Sequence, residues 1–174
     1  MSGVQAKLTI DTAPLRRVFA ALRAAGAEPH EALDAVGRVL VGNTQLRFDT
    51  GTEPGGAPWQ QSKRVERFGG QTLVEHGLLK NSFTHEVEGN SIVWGTANIR
   101  AGIHQKGGTI VPKNGKALAF KGLDGRPVFV KKVVMPARPF LGFDEVDSED
   151  VHDVLVDVLS RVVGASAASN GGAA

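Results

Sequence analysis

Histidine is the side chain best suited to acid–base or metal chemistry at neutral pH, and this 174-residue sequence has five. None lies at HExxH spacing, and none has a carboxylate at a recognisable ligand offset. His104 is the strongest catalytic candidate, since it shortly precedes a tight turn expected at Gly107-Gly108. A small hydrolase using His104 and a nearby acid is one hypothesis, but a structural role in the turn fits the sequence better. The five histidines are His30, His76, His85, His104 and His152.

Other catalytic and cofactor motifs are missing from the sequence. It has no cysteine, which excludes disulfides, zinc–thiolate sites, iron–sulfur clusters and thiol nucleophiles. There is no G-x-S-x-G, and the glycine pairs lack the context of a phosphate-binding loop. No stretch approaches the roughly 18 apolar residues of a membrane span, and no signal core follows Lys7. We therefore predict a protein that is not an enzyme, has no cofactor or metal, and is made in the cytoplasm without a membrane partner.

Charge is more informative in its distribution than in its net value of +2. Residues 106–138 carry many cations and the single acid Asp124, whereas residues 144–157 carry seven acids and no lysine or arginine. Ordinary surface charge, a basic hairpin on nucleic-acid phosphate, and a head-to-tail contact between subunits that closes a ring all fit this pattern. Only the ring accounts for both segments with one contact. The candidate interface residues are Lys106, Lys113, Lys116, Lys121, Lys131, Lys132, Arg138, Glu149, Asp150, Asp153 and Asp157.

Hydrophobic periodicity predicts an α+β fold with N-terminal helices, an antiparallel β-sheet with projecting hairpins, and a C-terminal helix. We expect a strand at residues 7–11 and two antiparallel helices, over residues 11–26 and from Pro29 to about Phe48. Gly37 and Gly42 weaken the second helix by about 1 kcal/mol each relative to alanine, unless they allow close packing. The predicted buried side of that helix is Leu33, Val36, Leu40, Thr44 and Phe48.

Turn-forming and polar residues follow the second helix. Residues 49–72 are rich in glycine, proline and basic side chains, which predicts a long loop. Such a loop is more often functional than idle in a small domain, so we expect it to contact a partner other than the hairpins' partner. Residues 73–80 are expected to form a helical turn with Leu78 and Leu79 facing inward.

The middle of the chain has the alternation of β-strands. Residues 83–94 predict a hairpin, and a short helix is expected over residues 98–106. We expect a second hairpin that pairs residues 109–111 with residues 117–120. The β-branched run at 128–134 predicts a further strand.

The C-terminal part is predicted to be helical. Pro136 and Pro139 interrupt the last strand, because proline cannot donate to a sheet ladder. Ser148, followed by two acids, is the expected start of the last helix, and composition beyond Gly164 predicts a frayed tail. We therefore predict one domain over residues 1–164 and a flexible tail over residues 165–174.

Three segments in order resemble the phage virion morphogenesis proteins, the tail completion family of Mu-like and P2-like phages. GGAPWQ at 55–60, followed by LVEHGLLKNS at 73–82, is similar to its D-x-x-G-x-x-W … L-x-x-T-G-x-L-x-x-S pattern. VWGT at 93–96 with IHQKGG at 103–108 resembles V-G-[ST] … A-x-I-H-Q-x-G, and MPARPFLG at 135–142 resembles P-A-R-P-F-L-G. IVPKNGKALAF at 110–120 also resembles a hairpin of the head–tail joining proteins of long-tailed phages.

The resemblance implies a structural protein that completes the tail and helps join it to the head. Such proteins are expected to form a ring, of six copies, at the neck of the virion. Their partners would be the tail terminator, the tail tube and the head–tail connector or stopper, with packaged DNA nearby. A basic nucleic-acid-binding module acting through residues 106–138 is the alternative. The motif residues implied to be structural are Trp59, Gly77, Leu78, Ser82, His104, Gln105, Gly107, Pro139, Phe140 and Leu141.

Overall fold

The computed structural model describes residues 3–9, 20, 23–24, 29–89 and 91–170. These residues fold into helices and small antiparallel sheets, so the predicted α+β class is confirmed. Most of the helix predicted over residues 11–26 lies outside the described residues. The longer helices are α1 (Pro29–Thr50), α2 (Lys63–Phe68), α3 (Ala101–Lys106) and α4 (Glu145–Asn170). The strands are β1 (Val4–Thr9), β2 (Thr84–Glu88), β3 (Ser91–Thr96), β4 (Gly108–Ile110), β5 (Leu118–Lys121), β6 (Pro127–Val130) and β7 (Val133–Met135).

The chain divides into two compact units. One, the hairpin unit, consists of Met1–Val4, Arg47–Ser82 and Thr96–Gly142. The other, the helical unit, consists of Gln5–Leu46, Phe83–Gly95 and Phe143–Ala174. The single domain over residues 1–164 and the flexible tail stay predictions.

The helical unit contains a three-stranded sheet in the order β1-β3-β2. Strands β2 and β3 form the predicted hairpin, with His85 opposite Trp94. Trp94 is 2% exposed, and its Nε1 donates to Thr44 Oγ1 of α1 at 3.3 Å. This bond satisfies the one polar atom of a large buried ring. The predicted buried side of α1 is confirmed, since Leu33, Val36, Leu40, Thr44 and Phe48 are each at most 1% exposed.

The two glycines of α1 have different surroundings. A Cβ on Gly37 would lie 2.2 Å from Cδ2 of His85, whereas a Cβ on Gly42 would have no atom within 4 Å. His85 Nε2 lies 2.8 Å from Asp34 Oδ1, and this hydrogen bond lowers the pKa of Asp34. Gly37 is therefore a close-approach glycine, required by a histidine ring from the sheet.

Helix α4 begins earlier than predicted. Asp144 Oδ1 accepts from the backbone N–H of Asp147, and Asp147 Oδ2 accepts from the backbone N–H of Asp144, both at 3.0 Å. This reciprocal capping box satisfies two helix-end donors, so the helix begins at Glu145 and not at Ser148. The helix extends to Asn170.

The hairpin unit pairs its strands differently from the prediction. Strand β4 pairs with β7 and β5 pairs with β6, so one hairpin is nested inside another and residues 109–111 do not pair with 117–120. The inner turn is closed by Gly122 N–H donating to Arg126 O at 2.8 Å. Asp124-Gly125 in this turn is a strong hairpin signal, because glycine adopts the positive φ of 80° that Gly125 has here.

Two further predictions for this unit are wrong. The expected loop over 49–72 contains α2, whose first turn is capped by Ser62 accepting from Val65 N. Leu78 was expected to face inward beside Leu79, but Leu78 is 70% exposed and only Leu79 is buried. Residues 75–79 form bends and turns, and a short 3-10 helix follows only at Lys80–Ser82, so α-helical spacing does not apply to these leucines.

Alanine substitution at the two glycines of α1 should have opposite effects on stability. Gly42→Ala should raise the free energy of unfolding by up to about 1 kcal/mol through helix propensity alone. Gly37→Ala should lower it by about 1–2 kcal/mol, because the new methyl displaces the His85 ring and breaks its bond to Asp34. Urea unfolding followed by circular dichroism measures both, and equal stabilisation by the two variants would contradict the close approach at Gly37.

Candidate functional site

A buried extended segment, residues 138–142, is the centre of the hairpin unit; we call it the strap. It has no regular secondary structure. A buried backbone without a neighbouring strand needs other hydrogen-bond partners. Gln105 supplies three of them. Its Oε1 accepts from the backbone N–H groups of Phe140 and Leu141, each at 3.0 Å, and its Nε2 donates to Leu141 O at 2.8 Å.

The end of α3 places Gln105 beside the strap. Ala101 at its start is fully buried, and Gly107 ends the helix with a φ of 67°. A Cβ on Gly107 would lie 2.7 Å from the backbone N of Ala137. His104 O accepts from Arg138 N–H at 2.7 Å, which holds the start of the strap against the helix. Glycine at 107 is thus needed twice, for its backbone conformation and for the close approach of the strap.

Trp59 and Arg47 bind the remaining carbonyls of the strap. Trp59 Nε1 donates to Pro139 O at 2.7 Å. Arg47 Nη1 lies 3.3 Å from both Phe140 O and Gly142 O and donates to them. Phe48 packs against Trp59 at 5.4 Å with a T-shaped geometry and against Phe140 at 5.2 Å. The aromatic contacts of Phe48 and the hydrogen bonds from Trp59 and Arg47 therefore both hold the strap in place.

Arg138, a predicted interface residue, lies inside its own unit. It is 4% exposed, and its Nε donates to Gln60 O at 2.7 Å. Its Nη2 donates more weakly to Gln61 O at 3.4 Å. Desolvation lowers the pKa of Arg138. In this position Arg138 anchors the strap to the loop after Trp59.

The structure brings seven of the predicted motif residues together around the strap and leaves three apart. Ser82 binds Thr96 Oγ1 at 2.7 Å, Gly77 has a φ of 71° in a turn, and Leu78 is exposed. Sequence reasoning missed Arg47; its position three residues after Thr44, on the buried side of α1, was the available signal. The seven grouped residues are Trp59, His104, Gln105, Gly107, Pro139, Phe140 and Leu141.

His104 lies on a cavity of about 360 Å³ within the hairpin unit. Its Nδ1 is enclosed and has no hydrogen-bond partner among the described residues. Burial lowers the pKa of His104, and the charges of Arg138 and Arg100 lower it further. No group of three metal-ligating side chains occurs in the described part of the chain. His104 is half-buried, and no described residue bonds to its Nδ1, so the oriented acid of the hydrolase hypothesis is not found among the described residues.

The predicted basic residues other than Arg138 lie on the surface of the hairpin unit. Lys106, Lys113, Lys116, Lys121, Lys131 and Lys132 are all exposed. Large apolar side chains of the same strands are exposed as well: Phe129 is 68%, Val134 66% and Phe120 47% exposed. We call these lysines and apolar residues the hairpin surface. An apolar surface rimmed by charge is typical of a protein–protein contact.

The predicted acidic residues lie on α4 in the helical unit. Asp150, Asp153 and Asp157 line a groove of about 440 Å³, whose other walls include Val39 and Gly42 of α1. Asn43 Nδ2 donates to Asp150 Oδ2 at 2.8 Å and to Asp147 Oδ1 at 3.0 Å, which ties α1 to α4. Asp157 also pairs with Arg161, and Glu149 is exposed. We call this the acidic groove.

The buried and half-buried polar side chains around the strap thus hold a backbone segment in place. The model of the phage virion morphogenesis family matches residues 10–160, and the chain belongs to this family. It is 28% identical over 126 residues to the Mu-like prophage FluMu G protein 2 of Haemophilus influenzae, covering 72% of this chain and 78% of that protein. No solved structure matches the chain. The family resemblance predicted from the motifs is therefore confirmed.

Membership of this family implies a structural protein associated with the phage virion. No helix in the described ranges is long and apolar enough to cross a membrane.

Loss of the Gln105 amide should destabilise the protein strongly. Gln105→Ala leaves the two strap N–H groups and the Leu141 carbonyl without partners, which should cost about 2–4 kcal/mol of unfolding free energy. Gln60→Ala is the matched control, because its side chain is exposed and only its backbone carbonyl is used. Chemical denaturation measures the difference; similar stabilities for the two variants would contradict the role of Gln105.

The protein should lose stability as pH falls below about 6.5, the ordinary pKa of histidine. The pKa of His104 is lowered in the folded state, so the unfolded chain binds a proton at a higher pH than the folded chain does. Protonation therefore stabilises the unfolded chain, and the free energy of unfolding decreases as pH falls. The loss ends once pH reaches the folded-state pKa. Unfolding at pH 7.5 and pH 5.5 tests this, with His104→Gln compared directly. A wild-type pH dependence unchanged in the variant would exclude His104 as its source.

Proposed function

We propose that this protein completes the phage tail and joins it to the head, as a ring of six copies at the neck. Family membership supports a virion structural role, and the order of the three motifs supports tail completion. The partners in this proposal are the tail terminator, the tail tube and the connector or stopper proteins. Assembly takes place in the host cytoplasm before the protein enters the virion.

Complementary surfaces carry the ring proposal. The hairpin surface offers exposed lysines and aromatic rings, and the acidic groove offers carboxylates beside Val39 and Val154. They belong to different units of one chain, so each copy can offer both to two neighbours. A head-to-tail contact of this kind closes into a ring when its rotation divides a full turn. Burial of the apolar side chains supplies affinity, and the charges set the register.

The exposed lysines of the hairpin surface also favour a second candidate, a nucleic-acid-binding module. Lysines on phosphate would release counterions, so the affinity for duplex DNA would fall steeply with salt. The acidic groove has no role in this alternative. A gel-shift titration near 50 mM salt separates the two, because the DNA candidate requires a salt-dependent shift.

Charge reversal on either surface should abolish self-association at low salt, and mixing the two variants should restore it. Lys131→Glu with Lys132→Glu reverses the hairpin surface, and Asp153→Lys with Asp157→Lys reverses the acidic groove. In the mixture each interface again joins opposite charges, so an alternating ring can close.

Light scattering and sedimentation measure this association. Lys63→Glu with Arg67→Glu is the matched control, since both side chains are exposed on α2 and belong to neither of the two surfaces. Failure of the mixture to associate, with both variants folded, would contradict a head-to-tail contact between these surfaces.

Electron microscopy of phage particles lacking this protein tests its place in the virion. Tails of normal length that do not attach to filled heads are expected. Normal, infectious particles would overturn the tail completion role.

A further inference from the structure

The cavity beside His104 is unusually rich in cations. Arg64, Arg100 and Arg138 all line it, together with His76 and His104. Within the described ranges, none of the three arginines has a carboxylate within ion-pairing distance, although each of their guanidinium groups carries a full charge. Among the described residues that line the cavity, Glu75 alone carries a carboxylate, so the lining has an excess of positive charge.

The existing hydrogen bonds leave part of this charge available. Arg64 Nη2 donates to Gln71 O and Val74 O, and Arg138 donates to carbonyls of the loop after Trp59. These carbonyls are dipoles and do not neutralise a guanidinium. Arg100 is exposed, and its hydrogen bond in the structure is made by its backbone N–H, to Asn98 Oδ1 at 3.0 Å. The Arg100 guanidinium at the rim is therefore free to meet a ligand.

We propose that this arginine cavity binds the carboxylate of an acidic side chain flanked by apolar residues on a partner protein. Guanidinium groups bind carboxylates with two parallel hydrogen bonds. The lining of this cavity includes none of the lysines or acids proposed for the ring contact, so the proposal does not depend on that contact.

The shape and lining favour a protein segment over nucleic acid. Leu73, Leu78 and Met135 also line the cavity, and Leu78 is 70% exposed at its edge. These side chains would contact apolar neighbours of the bound carboxylate and have no counterpart in a sugar–phosphate chain. Glu75 also lines the cavity. It would repel the second phosphate of a nucleic-acid chain, whereas a protein segment brings only one carboxylate, which the three arginines can bind.

A short peptide with one glutamate between two leucines is the probe, and the same peptide with glutamine is its control. NMR of the histidine rings should show saturable shifts of the His104 signal, assigned by its loss in His104→Gln. The pKa of His104 should rise when the peptide binds, because a nearby anion stabilises the protonated ring. The other charged or titratable side chains that line the cavity are Arg64, Arg100, Arg138, His76 and Glu75. Binding by the glutamine peptide of equal strength would overturn the proposal.

Arg100→Ala should weaken peptide binding roughly tenfold, the size of one charged hydrogen bond. Arg67→Ala is the matched control, since Arg67 is exposed over Phe68 and outside the cavity. Arg100→Lys keeps the charge and should recover part of the affinity. Equal weakening of peptide binding by both alanine variants would overturn the proposal. A duplex DNA that shifts the His104 NMR signal, when the peptide does not, would also overturn it. The Arg100→Ala variant should still form rings. Loss of peptide binding in this variant can therefore be distinguished from loss of the head-to-tail contact.

Discussion

The backbone of residues 138–142 is buried without a neighbouring strand, and this constraint organises the hairpin unit. Proline at 139 has no N–H, and Pro136 breaks the ladder that β7 would otherwise continue. The backbone carbonyl of His104 accepts from the Arg138 N–H, and side chains bind most of the polar groups of the strap. Gln105, Trp59 and Arg47 do this from three separate parts of the sequence.

This constraint explains why the motifs of the sequence occur together. Hydrogen bonds join the I-H-Q-x-G segment to the P-A-R-P-F-L-G segment, through the Gln105 side chain and the backbone N–H of Arg138. The tryptophan of the GGAPWQ motif, Trp59, donates to the same strap at Pro139 O. A change in one segment leaves buried groups in another unpaired, so the segments are physically coupled.

Separation of structural and surface roles is the second feature of the molecule. Polar side chains around the strap are used within the chain, whereas the lysines of the hairpin surface and most acids of the acidic groove face solvent. The folded chain can therefore offer charge to partners without disturbing its interior. The arginine cavity is the exception, because Arg138 serves the strap and also lines an open cavity.

The sequence by itself determined the class of fold, the buried side of α1, the β2–β3 hairpin and the family. These depend on local periodicity, or on motifs that can be recognised without a partner in space. Tertiary structure decided the pairing of β4 with β7, the exposure of Leu78 and the burial of Arg138. Each of these depends on residues far away in the chain: β4 meets a strand more than twenty residues later, and Arg138 meets carbonyls at Gln60 and Gln61. The start of α4 was predictable only in part. Its capping box is local in the sequence, but it is formed by Asp144 and Asp147, whereas the prediction used Ser148.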